Sequence, residues 1–257
     1  MTFESYTLYN GDVELKFNSD KHVYTVDGVV VESATGVTGV INKPALMYWA
    51  VNQAIEFLRN ALRAGESYDE IQLQRILDGA KVAHRMRKEE AGDIGTLVHE
   101  AVESYIKTGV ETKVVHPKAK ECFANFMKWV KDNNVKFISS ERKVYSKLHR
   151  YAGTADFECV IDGKTFVGDV KTSTGIYDEY WFQVSGYQQA LEEETGKLYD
   201  GQVIVRVGKD GSFEVQYRFN NDYLENVKAF NGALALFKRL QTLKDVASKR
   251  GQAELGI

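Results

Sequence analysis

The stretch GTADFECVIDGKTFVGDVKTS, residues 153–173, holds two apolar-rich runs joined by an Asp-Gly dipeptide. An Asp-Gly pair between two such runs predicts a β-hairpin with a two-residue type I′ turn. That turn pairs Ile161 with Lys164 and sets the register of every pair beyond it. The register predicts that Asp156 lies opposite Asp169.

The two faces of this hairpin differ in polarity. The face that carries Phe157 is almost wholly apolar, which predicts that it faces the core. On the other face Asp156, Asp169 and Lys171 come together, since side chains alternate along a strand. Two facing carboxylates repel each other, so either one is protonated or a Mg²⁺, Mn²⁺ or Ca²⁺ ion lies between them. Glu158 shares this face and either approaches the ion or is a surface charge. The alternative is an exposed hairpin with scattered charges.

Composition narrows the class of protein. The chain has 257 residues, 44% of them hydrophobic and 27% charged, with a net charge of −3. This charge gives no indication of nucleic-acid binding, so an anionic partner would need local patches or metal ions. Two cysteines, Cys122 and Cys159, exclude a four-cysteine zinc or iron–sulfur site in one chain and fit a reducing cytoplasm. Residues 1–14 do not resemble a signal peptide, and no apolar run approaches the ~20 residues of a membrane span.

Hydrophobic periodicity and turn residues predict the other elements. We expect β-hairpins over residues 6–31 and a loop with a short turn over 33–44. The predicted helices are 45–63, 67–88 with a capping box at Ser67–Glu70, 95–109, 117–133, 177–196 and one from about residue 222. The predicted strands are 136–146, the two of the 153–173 hairpin, 201–208 and 212–219. This order predicts an α/β fold with a mixed central sheet flanked by helices.

Four stretches together resemble the PD-(D/E)XK nuclease superfamily. They are GTLVHEAVESY, SERKVYSKLHRYAGTADF, FVGDVKTS and QVSGYQQA. Within that superfamily they resemble most the RecB-like exonuclease branch that includes the mitochondrial genome maintenance exonuclease and phage exonucleases. The resemblance implies a restriction-endonuclease-like αβββαβ core in a single nuclease domain, with 91–257 as the catalytic core and 1–90 as a substrate-binding appendage.

The resemblance also implies a role for each motif residue, in a site with one or two Mg²⁺ or Mn²⁺ ions and no iron–sulfur cluster. The implied metal ligands are His99, Asp156, Asp169 and the carbonyl group of Val170. The implied catalytic residues are Asp156, Asp169, the lysine Lys171, the Q-x-x-x-Y pair Gln183 and Tyr187, and the strand acid Glu141. Ala155 departs from the family pattern, because it stands where the eponymous proline would precede the first aspartate.

Candidate DNA contacts come from three segments. A basic run at helical spacing is suited to phosphate groups, although a solvated helix face is the alternative. An aromatic cluster at 177–182 is suited to stacking on unpaired bases or to a place in the core. A third segment, 33–44, resembles the strand-gripping element of the family. The candidates are Thr35, Thr38, Lys81, Arg85, Lys88 and Trp181.

The resemblance, with the metal site that the hairpin predicts, implies a metal-dependent DNA exonuclease that prefers single-stranded ends. The resemblance implies a role in recombination, repair or replication in the cytoplasm of a bacterium or a phage-infected cell. DNA is the expected partner, together with a recombinase or single-strand-binding protein, and no membrane. Three alternatives are a structure-specific or restriction-like endonuclease, a DNA-binding subunit with a relict nuclease fold, and a structural hairpin stabilised by Ca²⁺.

Overall fold

The computed structural model describes residues 3–254, with side chains from 3 to 248. Within these residues nine strands form one mixed sheet flanked by helices, which confirms the predicted α/β fold. The strands are β1 Glu4–Leu8, β2 Val13–Asn18, β3 Val23–Val26, β4 Val29–Ser33, β5 Lys136–Ser146, β6 Tyr151–Ile161, β7 Lys164–Lys171, β8 Gly201–Val207 and β9 Phe213–Phe219. The helices are α1 Ala34–Thr38, α2 Pro44–Ala61, α3 Glu70–Thr108, α4 Pro117–Asp132, α5 Asp178–Thr195 and α6 Asn220–Glu254. None of the helices in the described part combines the length and apolar character that a membrane crossing requires.

The chain forms two compact units. The first comprises Met1–Ile41 and Val98–Ile257, and the second is Asn42–Leu97. The first unit contains the whole sheet, whose strands run in the order β1-β2-β3-β4-β6-β7-β8-β9 with β5 paired to β6. The second contains α2 and the first part of α3. The N-terminal hairpins therefore share one unit with the strands that carry the D-x-K motif.

The hairpin turn at Asp162-Gly163 has the predicted type I′ conformation. Both residues have positive φ, 49° and 77°, as this turn requires. The predicted register is confirmed for five pairs, from 161/164 to 157/168.

The β6–β7 ladder ends at Phe157 and Gly168, so the predicted pairing of Asp156 with Asp169, and of the residues beyond, is wrong. The backbone N–H of Val170 donates instead to Oδ2 of Asp156 at 2.7 Å. The side chain of Asp156 thus takes the place of a backbone acceptor. From this point β7 pairs only with β8, in parallel.

Both faces of the hairpin are buried, so the alternative of an exposed hairpin is wrong. On one face the ring of Phe157 packs against Phe126 and Trp129 of α4, with centroids 6.3 and 6.0 Å away. On the other face Val167 belongs to the core cluster that includes α5, and Asp169 is only 1% exposed. The polar face is therefore an interior site, where carboxylates are only partly hydrated.

A short helix, α1, replaces the first part of the loop predicted over residues 33–44, and residues 39–43 are the predicted turn and loop. Ser33 caps its first turn, because the Ser33 hydroxyl accepts a hydrogen bond from the N–H of Gly36 at 3.0 Å. Ala34 and Val37 are fully buried in the same core cluster as α5. Packing of this apolar pair thus stabilises a helix that is too short to be stable alone.

The helices predicted over 67–88 and 95–109 are one continuous helix, α3. The segment between the two predicted helices, 89–94, contains Gly92, but a glycine costs only about 1 kcal/mol in a helix and keeps its N–H donor. The helix begins with a capping box of Asp69 and Gln72, whose side chains each accept from the other's N–H at 2.7 and 3.0 Å. The predicted Ser67–Glu70 box is therefore wrong by two residues. The other predicted elements are confirmed close to their predicted bounds.

Candidate active site

Glu141 and Asp156 lie opposite each other on β5 and β6. The neighbouring register pairs are 140/157 and 142/155, which bracket them. The loop 147–150 joins the two strands. Two carboxylates therefore do face each other across the sheet, but the partner of Asp156 is Glu141 on β5 rather than Asp169 on β7.

His99 of α3 completes a three-residue cluster with these carboxylates. Its Nδ1 lies 3.4 Å from Oδ2 of Asp156. One ligand atom each from His99, Glu141 and Asp156 lies within 4.8 Å of the other two. Each of the three side chains is partly buried. Three ligand atoms this close together could all bind one cation.

The electrostatics of the site favour a cation. Burial, and then the negative charge of Asp156, raise the pKa of Glu141 to about 8. Burial and Asp156 likewise raise the pKa of Asp169 to about 6, although Lys171 opposes the shift. A divalent cation would favour the ionised carboxylates, and two carboxylate groups with one imidazole form a donor set that suits Mn²⁺, or Mg²⁺ with additional oxygen ligands. The residues present therefore fit the metal that the resemblance implies.

Lys171, at the end of β7, is held from three sides. Its Nζ lies 2.5 Å from Oδ2 of Asp169 and donates to Oε1 of Gln183 at 3.2 Å. It also lies over the ring of Tyr180, 4.9 Å from the centroid. Burial lowers the pKa of Lys171, but Asp169 and Asp156 raise it by more, so the net pKa is above its usual value. The ammonium group is thus a fixed positive charge beside the carboxylates.

Gln183 orients this lysine through a network that reaches α1. Its Nε2 donates to the hydroxyl oxygens of Thr35 and Tyr187, each at 2.7 Å. These two acceptors fix the amide so that Oε1 points to Lys171. The ring of Tyr187 occupies the space beside Gly153, where a Cβ would lie 2.6 Å from it. This close approach explains why the G-x-x-D stretch begins with glycine.

Several predicted site residues lie outside this network. Thr38 is buried, and its hydroxyl donates to the carbonyl of Thr35 at 3.1 Å. Trp181 is 1% exposed, with the guanidinium of Arg218 over its ring at 4.5 Å. That burial leaves no free face of the ring for a base, so the predicted base contact is not compatible with the structure. Val170 is also buried, with its N–H bound to Asp156.

The predicted basic patch lies on the second unit. Lys81, Arg85 and Lys88 are all exposed on α3, as a phosphate-binding surface requires. Lys81 forms an ion pair with Asp78 at 3.0 Å.

Glu158 was expected either near the metal or on the surface, and it lies in neither position. It is 2% exposed and accepts from Ser139 at 2.6 Å, from Arg142 at 3.2 Å and from the hydroxyl of Tyr199. Arg142 also binds Glu194 at 3.3 Å. Glu158 therefore belongs to a buried ion-pair network of the core.

Solved structures of exonucleases are similar to this chain. An alkaline exonuclease from Laribacter hongkongensis is 10% identical over 61% of this chain and 84% of its own, with a TM-score of 0.37. The same enzyme in complex with dAMP is 12% identical over 64% and 97%, also with a TM-score of 0.37. A protein assigned as an exonuclease from Eubacterium rectale is 15% identical over 58% and 68%, with a TM-score of 0.42.

Similarity of this size assigns neither a family nor a function to the chain. No family model matches the sequence. No curated protein matches it either.

Proposed function

We propose that this protein is a metal-dependent DNA nuclease that hydrolyses phosphodiester bonds, and that it is an exonuclease with a preference for single-stranded ends. The observation that supports it is the cluster of His99, Glu141 and Asp156 beside the fixed ammonium group of Lys171. Carboxylates that bind a divalent cation and an oriented lysine are the groups that phosphodiester hydrolysis needs.

The proposed metal is Mg²⁺ or Mn²⁺, as one or two ions. His99, Glu141 and Asp156 would hold it, and Asp169 and the carbonyl of Val170 are proposed as further ligands. When bound, such an ion supplies Lewis-acid charge to the oxygens of the scissile phosphate.

The side chains of the chain itself have the following proposed roles. Lys171 donates hydrogen bonds to a non-bridging oxygen of the phosphate and so stabilises the charge that develops there. Asp169 and Gln183 hold its ammonium group in place. Tyr187 and Thr35 fix the amide of Gln183, which keeps Lys171 from turning away.

The wider setting is also a proposal. We regard the chain as one nuclease domain in which residues 1–90 help to bind the substrate. Lys81, Arg85 and Lys88 are proposed to contact the phosphates of DNA. A bacterial or phage-infected cytoplasm, with recombination, repair or replication as the process, fits the motif resemblance, as does a recombinase or single-strand-binding protein as partner.

The first test uses single- and double-stranded oligonucleotides labelled at the 5′ or the 3′ end, with Mg²⁺, Mn²⁺ or EDTA. We expect cation-dependent shortening by the natural protein and none by Lys171→Ala. Lys164→Ala is the matched control, because Lys164 is an exposed lysine at the other end of the same strand. The label pattern gives the polarity.

Two outcomes would change the proposal. Cleavage of closed circular single-stranded DNA would identify an endonuclease, since an exonuclease needs an end. If the natural protein binds DNA but cleaves it neither with Mg²⁺ nor with Mn²⁺, the enzymatic proposal is contradicted and a DNA-binding module is favoured.

A further inference from the structure

The backbone at Glu141 is strained. Its φ is 50°, in the left-handed region, although it lies in the middle of β5. Residues with a Cβ atom rarely adopt this conformation, and it persists only where the surrounding structure holds it. The strained residue is also one of the three members of the candidate metal cluster. Some contact must therefore hold the chain at this position.

Lys143, two residues further along β5, contacts Glu141 through both its backbone carbonyl and its carboxylate. Its Nζ donates to the backbone carbonyl of Glu141 at 3.4 Å and lies 3.9 Å from the Glu141 carboxylate oxygen Oε2. The lysine side chain is only 8% exposed. A lysine this buried is unusual unless its charge is compensated. Here the backbone carbonyl and the side-chain carboxylate of Glu141 both compensate it.

Two aromatic rings of the N-terminal hairpin hold the other side of this ammonium group. Nζ of Lys143 lies 5.4 Å from the ring centroid of Tyr6 on β1 and 5.0 Å from that of Phe17 on β2. Cations at such distances are attracted to aromatic faces, most strongly where water is excluded. Phe17 is itself fixed in the core cluster of this hairpin. The rings thus anchor the ammonium group to an element outside the strands of the D-x-K hairpin.

We infer that Lys143 is a positioning residue that holds Glu141 in the geometry required to bind the cation, and that Tyr6 and Phe17 anchor it. The inference rests on the proposed function, because it assigns the support of a ligand in that same site. Residues that orient a ligand typically change metal affinity by about 10–100-fold when they are replaced. It also gives the N-terminal hairpin a role in building the metal centre.

The experiment measures the Kd of the full-length protein for Mn²⁺, without DNA, by titration calorimetry and by the loss of the free-ion EPR signal. Lys143→Met keeps the packing of the side chain and removes the charge, whereas Lys143→Arg keeps the charge. Lys147→Met is the matched control. Lys147 comes directly after β5 and, like Lys143, lies over an aromatic ring, that of Tyr9 at 4.2 Å, but it pairs with Asp12 rather than with Glu141.

We expect Lys143→Met to raise the Kd for Mn²⁺ about tenfold, and Lys143→Arg and Lys147→Met to change it by less than about threefold. At saturating Mn²⁺ the cleavage rate of Lys143→Met should recover to within about threefold of the natural protein, since the lysine does not touch the substrate. An unchanged Kd in folded Lys143→Met would overturn the inference. So would Lys143→Arg binding Mn²⁺ as weakly as Lys143→Met, because the charge would then not matter.

Two further variants keep the test decisive. Tyr6→Leu is the variant to use if Lys143→Met does not fold, because it weakens the anchor and leaves the lysine in place. It should raise the Kd for Mn²⁺ about threefold. An unchanged Kd would overturn the inference. Glu141→Gln separates this inference from the proposed function. A natural protein that does not bind Mn²⁺ contradicts the proposed metal centre and the inference with it. If Glu141→Gln weakens Mn²⁺ binding and Lys143→Met does not, only the inference fails.

Discussion

Glu141 and Asp156 occupy directly opposed positions on two antiparallel strands, with His99 close enough to share a cation with both. Opposed carboxylates on neighbouring strands destabilise a sheet. Burial and this repulsion are what raise the pKa of Glu141 to about 8. The arrangement therefore lowers the stability of the metal-free protein and at the same time provides the negative charge that binds a cation.

Glu141→Gln should separate these two effects. Removing one of the opposed charges should raise the stability of the metal-free protein at pH 8 by about 1 kcal/mol, or about 2–4 °C in Tm for a domain of this size, because burial and the repulsion by Asp156 outweigh the attraction of Lys143 for the Glu141 carboxylate. Loss of a metal ligand should reduce cleavage at least about 100-fold. Thermal unfolding in EDTA and the oligonucleotide assay measure the two quantities.

The control for this variant is Glu14→Gln, because Glu14 is an exposed carboxylate paired with Lys16. It should leave both Tm and cleavage nearly unchanged. A Tm of Glu141→Gln several degrees below that of the natural protein would show that Glu141 stabilises the metal-free fold, contrary to this account.

Gly168→Ala should destabilise the protein, because Phe157 lies across this glycine. A Cβ at residue 168 would be 1.9 Å from the Phe157 ring, which is confined by α4. We expect a loss of about 1–3 kcal/mol in the free energy of unfolding, measured by urea denaturation. Gly232→Ala is the control, since nothing lies within 4 Å of its added Cβ in α6, and it should be neutral or slightly stabilising.

The same contact predicts non-additivity. Phe157→Leu should cost stability alone but should reduce the cost of Gly168→Ala, because the smaller side chain makes room for the methyl group. If the two losses simply add, the clash at residue 168 is not the reason for the glycine.

The hairpin of β6 and β7 was predictable because its turn carries a local signal. Asp162-Gly163 needs positive φ at both residues, so the dipeptide specifies the turn and hence five register pairs. The connection between β5 and β6 has no such signal. The loop 147–150, with the sequence KLHR, contains no glycine, proline, asparagine or aspartate. The sequence therefore does not predict the opposition of Glu141 and Asp156, which depends on this loop.

The burial of individual side chains, like the opposition of Glu141 and Asp156, does not follow from residue types. A cluster of aromatic residues is equally suited to a core and to base stacking, and only the packing of α5 shows that Trp181 is buried. Glu158 is a similar case, since it is buried and its partners Arg142 and Tyr199 come from distant positions in the chain. Long-range contacts of this kind leave no periodic pattern in a single sequence.

Arg142→Met should be strongly destabilising, because it leaves the buried carboxylate of Glu158 without its cation. Removing one partner of a buried ion pair typically costs about 3–5 kcal/mol, and the expected loss lies at the lower end of this range because Arg142 is partly exposed. Lys128→Met is the control, since its partner Asp132 is exposed and such pairs contribute less than about 1 kcal/mol. Chemical denaturation of the double variant Arg142→Met with Glu158→Met should show recovery of most of the lost stability. A double variant less stable than Arg142→Met would argue against this pairing.

Gln183 offers the sharpest test of how Lys171 is positioned. Its Nε2 has two acceptors, the hydroxyl oxygens of Thr35 and Tyr187. Thr35→Val or Tyr187→Phe alone leaves one acceptor, so each should lower kcat by only about threefold. The double variant leaves a nearly buried N–H group without either acceptor, an unfavourable state that costs about 1–3 kcal/mol and is relieved if the amide turns away from Lys171.

The double variant should therefore lose about 10–100-fold more kcat than the product of the two single losses, with a smaller change in KM. A double-mutant cycle measured at saturating Mn²⁺ gives this coupling directly. Thr38→Val combined with Tyr187→Phe is the matched control, because Thr38 donates to the backbone of Thr35 and does not contact Gln183. Multiplicative losses in the Thr35 and Tyr187 cycle would mean that the two hydroxyl groups act independently, and that the amide of Gln183 does not transmit their effect to Lys171.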